Sequence, residues 1–152
     1  MIIAAYAGCG KTTLANMYPN CFTEVPSMPY ARILPYVKGC FISEFEAEKA
    51  APYHITNPLF PLNMVSEILE AERESQYVVI PTISEVISIL QNEFGRDVIL
   101  CYPADGLEEE YKRRYLDRGN TEKFCRIFAE RDRKSTRLNS SHKRLSRMPS
   151  SA

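Results

Sequence analysis

The amino-acid sequence predicts an α/β fold in which a parallel sheet carries helices on both faces. Three observations support this class. The chain has 152 residues, 45% of them hydrophobic, which is enough for one domain with a buried core. Short, uncharged apolar runs that are typical of buried parallel strands recur along it. They alternate with segments of helical apolar spacing, and strand–helix alternation favours a parallel sheet.

The first elements are a strand, a turn with glycines and a helix. The apolar run MIIAAY (1–6) predicts a buried first strand, and residues 11–18 predict the helix that follows. CFTEV (21–25) predicts a second strand. Three prolines then fall within residues 26–35, so this stretch cannot form one uninterrupted helix.

The middle of the chain predicts two helices. Residues 43–50 form a short one, with Glu46 in the position of a capping box. A longer helix is predicted over 63–75, where the apolar residues Met64, Val65 and Ile68 follow helical spacing.

The next segments continue the alternation. QYVVIPT (76–82) is β-branched and continuous, which predicts a buried strand. A helix over 84–94 follows, closed by Gly95, and its apolar stripe consists of Val86, Ile87, Leu90 and Phe94. DVILCYP (97–103) predicts another buried strand. The stretch after it is helical on both sides of a break at Gly119.

A motif for binding phosphate lies between the first strand and the first helix. AYAGCGKT (5–12) matches the Walker A pattern G-x-x-x-x-G-K-[ST], except that Ala5 replaces the first glycine. Gly8 and Gly10 permit backbone conformations that turn successive N–H groups inward around an anion. The helix N-terminus adds partial positive charge.

The side chains of this motif have distinct expected roles. Lys11 can reach the β- and γ-phosphates, Thr12 can place its hydroxyl on Mg²⁺, and Thr13 can contact a phosphate further back. We interpret Cys9, which lies within the loop, as a small residue that fills space, and a redox role is the alternative. The alternative for the whole loop is a glycine-rich turn that binds nothing.

With this loop and an arginine-rich segment near residue 115, the chain resembles the nucleoside and nucleoside-monophosphate kinase branch of the P-loop NTPases. The resemblance implies a three-layer P-loop fold of strand order about 2-3-1-4, within a domain of residues 1–131. It implies an acceptor-binding arm at about 24–60 and a lid at about 104–123. The implied activity is ATP-dependent phosphoryl transfer to a small nucleotide or nucleoside, with ATP and Mg²⁺.

The lid implied by the resemblance carries the arginines that we expect to stabilise the transferring group. Arginine suits this role because its planar donors match phosphate oxygens. Arg114 and Arg118 are four residues apart and share a helix face, whereas Arg113 lies about 100° away. The alternative is a solvated helix on which Glu110 and Arg114 form a surface ion pair.

The acceptor side is defined by fewer residues. Glu24 matches the acidic residue that such kinases carry after the second strand, as a base or an acceptor ligand, although it equally suits an exposed strand-end charge. Tyr30 and Arg32 are candidates to hold an acceptor base and phosphate. No acidic residue ends the strand 76–82, and Glu85 is equally a first-turn helix charge. This gap favours a second hypothesis: a P-loop NTPase or nucleotide-binding regulatory protein without an acceptor.

Charge is distributed unevenly along the chain. Residues 132–152 hold six Lys/Arg and one Asp, a net +5, whereas residues 1–131 carry −5. The strings DRKSTRLNSSH and SRMPSSA in this tail resemble a translated sequencing adapter. We therefore expect a non-native, disordered tail and a native C-terminus that is missing here. Without the tail, a nucleic-acid partner is not expected, since an acidic body repels phosphates at long range.

Localisation follows from the remaining composition. No apolar run approaches the roughly 20 residues that span a bilayer, and no basic region precedes the first apolar run. The five cysteines have no regular spacing, which is typical of reduced thiols. A cytoplasmic protein without a membrane partner is predicted.

Overall fold

The computed structural model describes residues 1–33, 36–37, 40–41 and 55–128. The helix predicted over 43–50 and the tail 132–152 lie outside the described residues. The chain forms two compact units. Of the described residues, the first unit comprises Met1–Tyr6 and those within Gly10–Cys101, and the second comprises Ala7–Cys9 and residues 102–128.

The predicted strands and helices that fall on described residues are present, and the arm adds short strands that the sequence did not predict. The strands are β1 (Ile2–Ala5), β2 (Phe22–Glu24), β3 (Arg32–Ile33), β4 (Tyr36–Val37), β5 (Cys40–Phe41), β6 (Ile55–Thr56), β7 (Tyr77–Pro81) and β8 (Val98–Cys101). The helices are α1 (Lys11–Met17), α2 (Met28–Ala31), α3 (Leu62–Glu74), α4 (Ser84–Asn92) and α5 (Glu108–Asp117). Residues 122–128 are also helical.

The first unit is built on a four-stranded sheet of order β2-β7-β1-β8. Every neighbouring pair is parallel, with Ile2 in register with Val78 on one side and Val98 on the other. The predicted α/β class and parallel sheet are therefore confirmed. The prediction that residues 97–103 form a buried strand is wrong, because β8 is an edge strand in which Ile99 and Leu100 are 48% and 40% exposed. Because all four strands run the same way, their carboxyl ends share one edge of the sheet.

The core of this unit lies against β7, α3 and α4. Val78, Val79 and Ile80 are all at most 2% exposed, and since successive strand residues face opposite ways, both faces of β7 are buried. One stripe of α3, including Met64 and Ile68, packs into the same core. Burying each such side chain stabilises the fold by about 1.5–3 kcal/mol.

Helix α4 ends two residues earlier than predicted. It closes after Asn92, so Phe94 leaves the apolar stripe and is 47% exposed. Gly95 adopts a φ of +59°, and the amide of Arg96 donates to the carbonyl of Leu90 at 2.9 Å. This is the glycine-closed helix end that the sequence predicted.

The arm after β2 begins with broken structure, as its prolines require. The four-residue helix α2, with proline in its first turn, leads directly into β3. β3 pairs antiparallel with β6, and β4 pairs antiparallel with β5. Asn63 joins the arm to α3, since its amide donates to the carbonyl of Tyr30 at 2.9 Å and its Oδ1 accepts from the amide of Met64.

The second unit contains an aromatic cluster. Tyr111 and Tyr115, one turn apart on α5, are buried together with Cys125, and Phe124 and Phe128 pack against them. The predicted break occurs at Gly119, whose φ is +78°. No helix within the described parts of the chain is long and apolar enough to cross a membrane.

Candidate functional site

The glycine loop (residues 5–12) leaves the sheet at the edge where the strands end. Its first residue, Ala5, is in register with Pro81 of β7 and Cys101 of β8. The amide of Tyr6 donates to the carbonyl of Cys101 at 2.9 Å and extends this pairing by one residue. The carboxyl edge of an open parallel sheet is where ligands of α/β proteins bind.

Lys11, the first residue of α1, points back to the end of β1. Its Nζ donates to the carbonyl oxygen of Ala5 at 3.0 Å and to that of Tyr6 at 3.1 Å. The side chain is half-buried. Two backbone carbonyls thus hold the ammonium group at the carboxyl edge of the sheet.

The two glycines of the loop both have positive φ angles. Gly8 has φ +81° and Gly10 has φ +82°, in the left-handed region that favours glycine. The carbonyl of Gly10 accepts the amide of Leu14 at 2.9 Å, which begins α1. Within the described part of the chain, the amides of Gly8 and Gly10 make no hydrogen bond.

Thr12 and Thr13 are exposed on the first turn of α1. No side chain caps this helix, and neither threonine hydroxyl makes a hydrogen bond to another described residue. The hydroxyl of Thr12 is an oxygen ligand of the kind that Mg²⁺ takes. In the residues that the structure describes, no group of three His, Cys, Asp or Glu side chains could hold a metal ion.

In the second unit, loop residues 7–9 lie against α5. The hydroxyl of Tyr115 donates to the carbonyl of Ala7 at 2.9 Å. Nη1 of Arg114 contacts the carbonyl of Gly8 at 3.4 Å. Cys9 Sγ and the Tyr111 hydroxyl are 3.6 Å apart. Three consecutive loop residues therefore each have a polar contact with α5.

Gly8 also packs tightly against the tyrosines. A Cβ at this position would lie 3.0 Å from ring carbons of both Tyr111 and Tyr115. Tyr115 is 2% exposed and Tyr111 is 8% exposed, so both rings are enclosed by other atoms of the protein. The contact between the loop and this tyrosine pair is absent from the sequence prediction. In the sequence, only the i, i+4 spacing of Tyr111 and Tyr115 indicates that the two rings share a helix face.

The predicted lid arginines differ in their surroundings. Arg114 forms an ion pair with Glu110, which is the pair expected for a solvated helix, and its guanidinium lies 5.0 Å from the centre of the Tyr111 ring. Arg113 and Arg118 are exposed, and Arg118 forms no ion pair with another described residue. Contact of Arg114 and Arg118 with a phosphate stays a prediction.

The acceptor candidates lie on separate elements. Glu24 is the last residue of β2, half-buried and in register with Val79 of β7. One strand separates β2 from β1, which puts Glu24 about 10 Å from β1 at normal strand spacing. Nη1 of Arg32 contacts the Thr56 hydroxyl at 3.4 Å. Glu85 is exposed in the first turn of α4.

Tyr30 packs against the core at the start of the arm. Its partial burial raises the pKa of the phenol above the usual 10.0, and the negative charge of Glu67 raises this pKa further. The ring is therefore a neutral packing group at physiological pH. Binding of an acceptor base by this residue stays a prediction.

No protein-family model, curated protein or solved structure matches this chain.

Proposed function

We propose that this protein binds ATP through the glycine loop and transfers its terminal phosphoryl group to a small nucleotide or nucleoside. The observation that carries the proposal is the AYAGCGKT motif in a strand–loop–helix setting, where Gly8 and Gly10 have left-handed backbones and Lys11 lies at the sheet edge. These features together support the proposal, because glycine turns, a helix N-terminus and a lysine are typical of phosphate-binding loops.

The proposed architecture is a three-layer P-loop fold with helices on both faces of the sheet. The order β2-β7-β1-β8 supports it, because the four strands of this sheet, counted along the chain, then lie in the order 2-3-1-4. Burial of both faces of β7 also supports it. We propose the cytoplasm as the location, where ATP is available.

An anionic ligand fits the loop residues. No carboxylate occurs between residues 5 and 13, and the segment offers amide, ammonium and hydroxyl donors. We assign donor-phosphate binding to Gly8, Cys9, Gly10, Lys11, Thr12 and Thr13. The Thr12 hydroxyl would hold Mg²⁺ with phosphate oxygens and water as further ligands. When bound, Mg²⁺ neutralises charge on the phosphate oxygens.

The acceptor and the transferring group are assigned to other residues. We propose that Arg114 and Arg118 stabilise charge on the transferring phosphoryl group, which is where such reactions gain most of their acceleration. Glu24 would orient the acceptor hydroxyl or accept its proton. The arm of residues 24–60 would bind the acceptor.

A second candidate function is ATP binding or hydrolysis without an acceptor. It is favoured by the end of β7, where Pro81 and Thr82 stand in place of an acid and the nearest carboxylate, Glu85, is exposed. A kinase needs such an acid or an equivalent to support Mg²⁺.

ATP turnover with and without acceptors distinguishes the two functions. We expect ADP release to rise severalfold when the correct nucleoside or nucleoside monophosphate is added, and to be lost in Lys11→Ala. Equal turnover with every acceptor and with none would identify the second function. An intact protein that binds ATP but never consumes it would contradict phosphoryl transfer.

A further inference from the structure

We propose that Tyr115 is a positioning residue for nucleotide binding. Its hydroxyl binds the carbonyl of Ala7 and thereby orients the peptide groups of loop residues 7–9. This inference rests on the proposed function, since it assigns to α5 a role in the same loop. All of the contacts that carry it lie within the second unit.

The first argument is the direction in which α5 holds the loop. The Tyr115 hydroxyl binds the carbonyl of Ala7 at 2.9 Å, and Arg114 contacts the carbonyl of Gly8. Both peptide bonds that follow are trans. In a planar trans peptide, the N–H of a residue points opposite to the carbonyl of the residue before it. The amides of Gly8 and Cys9 therefore point away from α5.

This direction is the one that an anion-binding loop needs. Successive N–H groups that point to the same side form a concave site for phosphate oxygens. If the carbonyls were released, the peptide groups could rotate and present negative oxygen atoms instead. The hydroxyl of Tyr115 thus favours the binding-competent arrangement without touching the ligand.

The second argument is that Tyr115 is itself held in place. Its ring makes edge contacts with Phe124 and Phe128, at centroid distances of 5.6 and 6.3 Å, and it lies 6.3 Å from the ring of Tyr111. The side chain is 2% exposed. Because the buried ring is fixed by its neighbours, its hydroxyl also restricts the position of the carbonyl that it binds.

The third argument is the close approach at Gly8. Ring carbons of both tyrosines lie 3.0 Å from the position that a Cβ of residue 8 would take, so the loop backbone packs directly against the two rings. Helix α5 in this arrangement is a support for the loop. Arg114 of the same helix contacts the carbonyl of Gly8 at 3.4 Å.

The test compares Tyr115→Phe with wild type by titration with Mg·ATP. This change removes only the hydroxyl and keeps the ring packing. We expect the Kd to rise about fivefold to tenfold, as is typical for the loss of one hydrogen bond. In the protein without nucleotide, NMR should show that the amide resonances of Gly8 and Cys9 shift.

Tyr77→Phe is the matched control, because it also removes only a tyrosine hydroxyl. Tyr77 is the first residue of β7 and lies at the amino-terminal end of the strand, whereas ligands of parallel sheets bind at the carboxyl end. This variant should keep the wild-type Kd and the wild-type amide resonances of residues 8 and 9. If Tyr115→Phe keeps wild-type affinity, or if both variants weaken binding equally, the inference is wrong while the proposed function stands. If wild type binds no Mg·ATP, the proposed function is wrong and the inference is wrong with it.

Discussion

Residue 8 meets two separate requirements, and only glycine satisfies both. Its φ of +81° lies in the left-handed region, which costs an L-residue about 1–2 kcal/mol. Its missing side chain makes room for the rings of Tyr111 and Tyr115. The loop conformation and the packing of α5 therefore depend on the same residue.

Gly8→Ala should lower the free energy of unfolding by more than the backbone cost alone, about 2–4 kcal/mol in total. Gly106→Ala is the matched control, because Gly106 has φ +87° but nothing within 4 Å of the added Cβ. Urea denaturation of the two variants gives the difference, which measures the packing at Gly8. Equal losses would show that the tyrosines do not constrain this position.

The pKa of Tyr30 predicts a specific sensitivity to alkaline pH. Burial and the charge of Glu67 raise this pKa in the folded state above the unfolded value of 10.0, so the folded state holds the proton more tightly. The stability that the protonated Tyr30 contributes to the folded protein is fully present below pH 10. It is lost as the pH rises through the pKa that Tyr30 has in the folded state.

Tyr30→Phe should remove this part of the alkaline destabilisation. Melting temperatures measured from neutral pH to above pH 10 should fall less steeply for the variant than for wild type. Tyr18→Phe, at a position 51% exposed, should follow the wild-type curve. Identical curves for all three proteins would mean that ionisation of Tyr30 does not destabilise the folded protein.

The turn at Gly8 and Gly10 and the start of α1 at Lys11 could be predicted because they depend on neighbours in the chain. Phosphate binding by these residues stays a prediction. The sequence did not predict the contact of Gly8 with Tyr115, since these residues are more than 100 positions apart and meet only in the folded protein. Spacing along α5 shows that Tyr111 and Tyr115 share a face, but not what that face covers.

Helices α3 and α4 show how a periodic pattern becomes a core. Met64, Val65 and Ile68 of α3 are buried as predicted, and so are Val86 and Leu90 of α4. The strands were also found, although β7 and β8 are shorter than the apolar runs that predicted them. Ends of elements are harder to predict because apolar residues continue beyond the last hydrogen-bonded pair.

Leu90→Ala should destabilise the protein by about 2–5 kcal/mol, because a fully buried leucine leaves a cavity. Leu62→Ala, at the exposed start of α3, should change stability by about 0.5 kcal/mol or less. Chemical denaturation of both variants provides the comparison. A small effect at Leu90 would mean that α4 does not close the core of the first unit.

For the whole molecule, the strand–helix alternation was sufficient to predict the class of fold. A parallel sheet needs crossover connections, so the order of elements in the sequence already restricts the topology. The arm was predicted only in outline. Its described parts are short strands and one turn of helix, which carry little periodic signal.

The net charge of the whole chain does not indicate which ligands the glycine loop can bind. The chain as a whole is neutral, residues 1–131 carry −5, and the glycine loop contains no carboxylate. Local composition therefore decides what the loop can bind, and an acidic body is compatible with a nucleotide ligand held at short range by amides and an ammonium group.

The central claim is that the glycine loop binds the phosphates of ATP, and calorimetric titration with Mg·ATP tests it most directly. We predict saturable binding to wild type that weakens roughly 10- to 100-fold in Lys11→Ala, because a charge-assisted contact is lost. Lys123→Ala, at an exposed lysine of the second unit, should bind as wild type does. Absence of binding to the folded wild-type protein, or undiminished binding to Lys11→Ala, would contradict the claim.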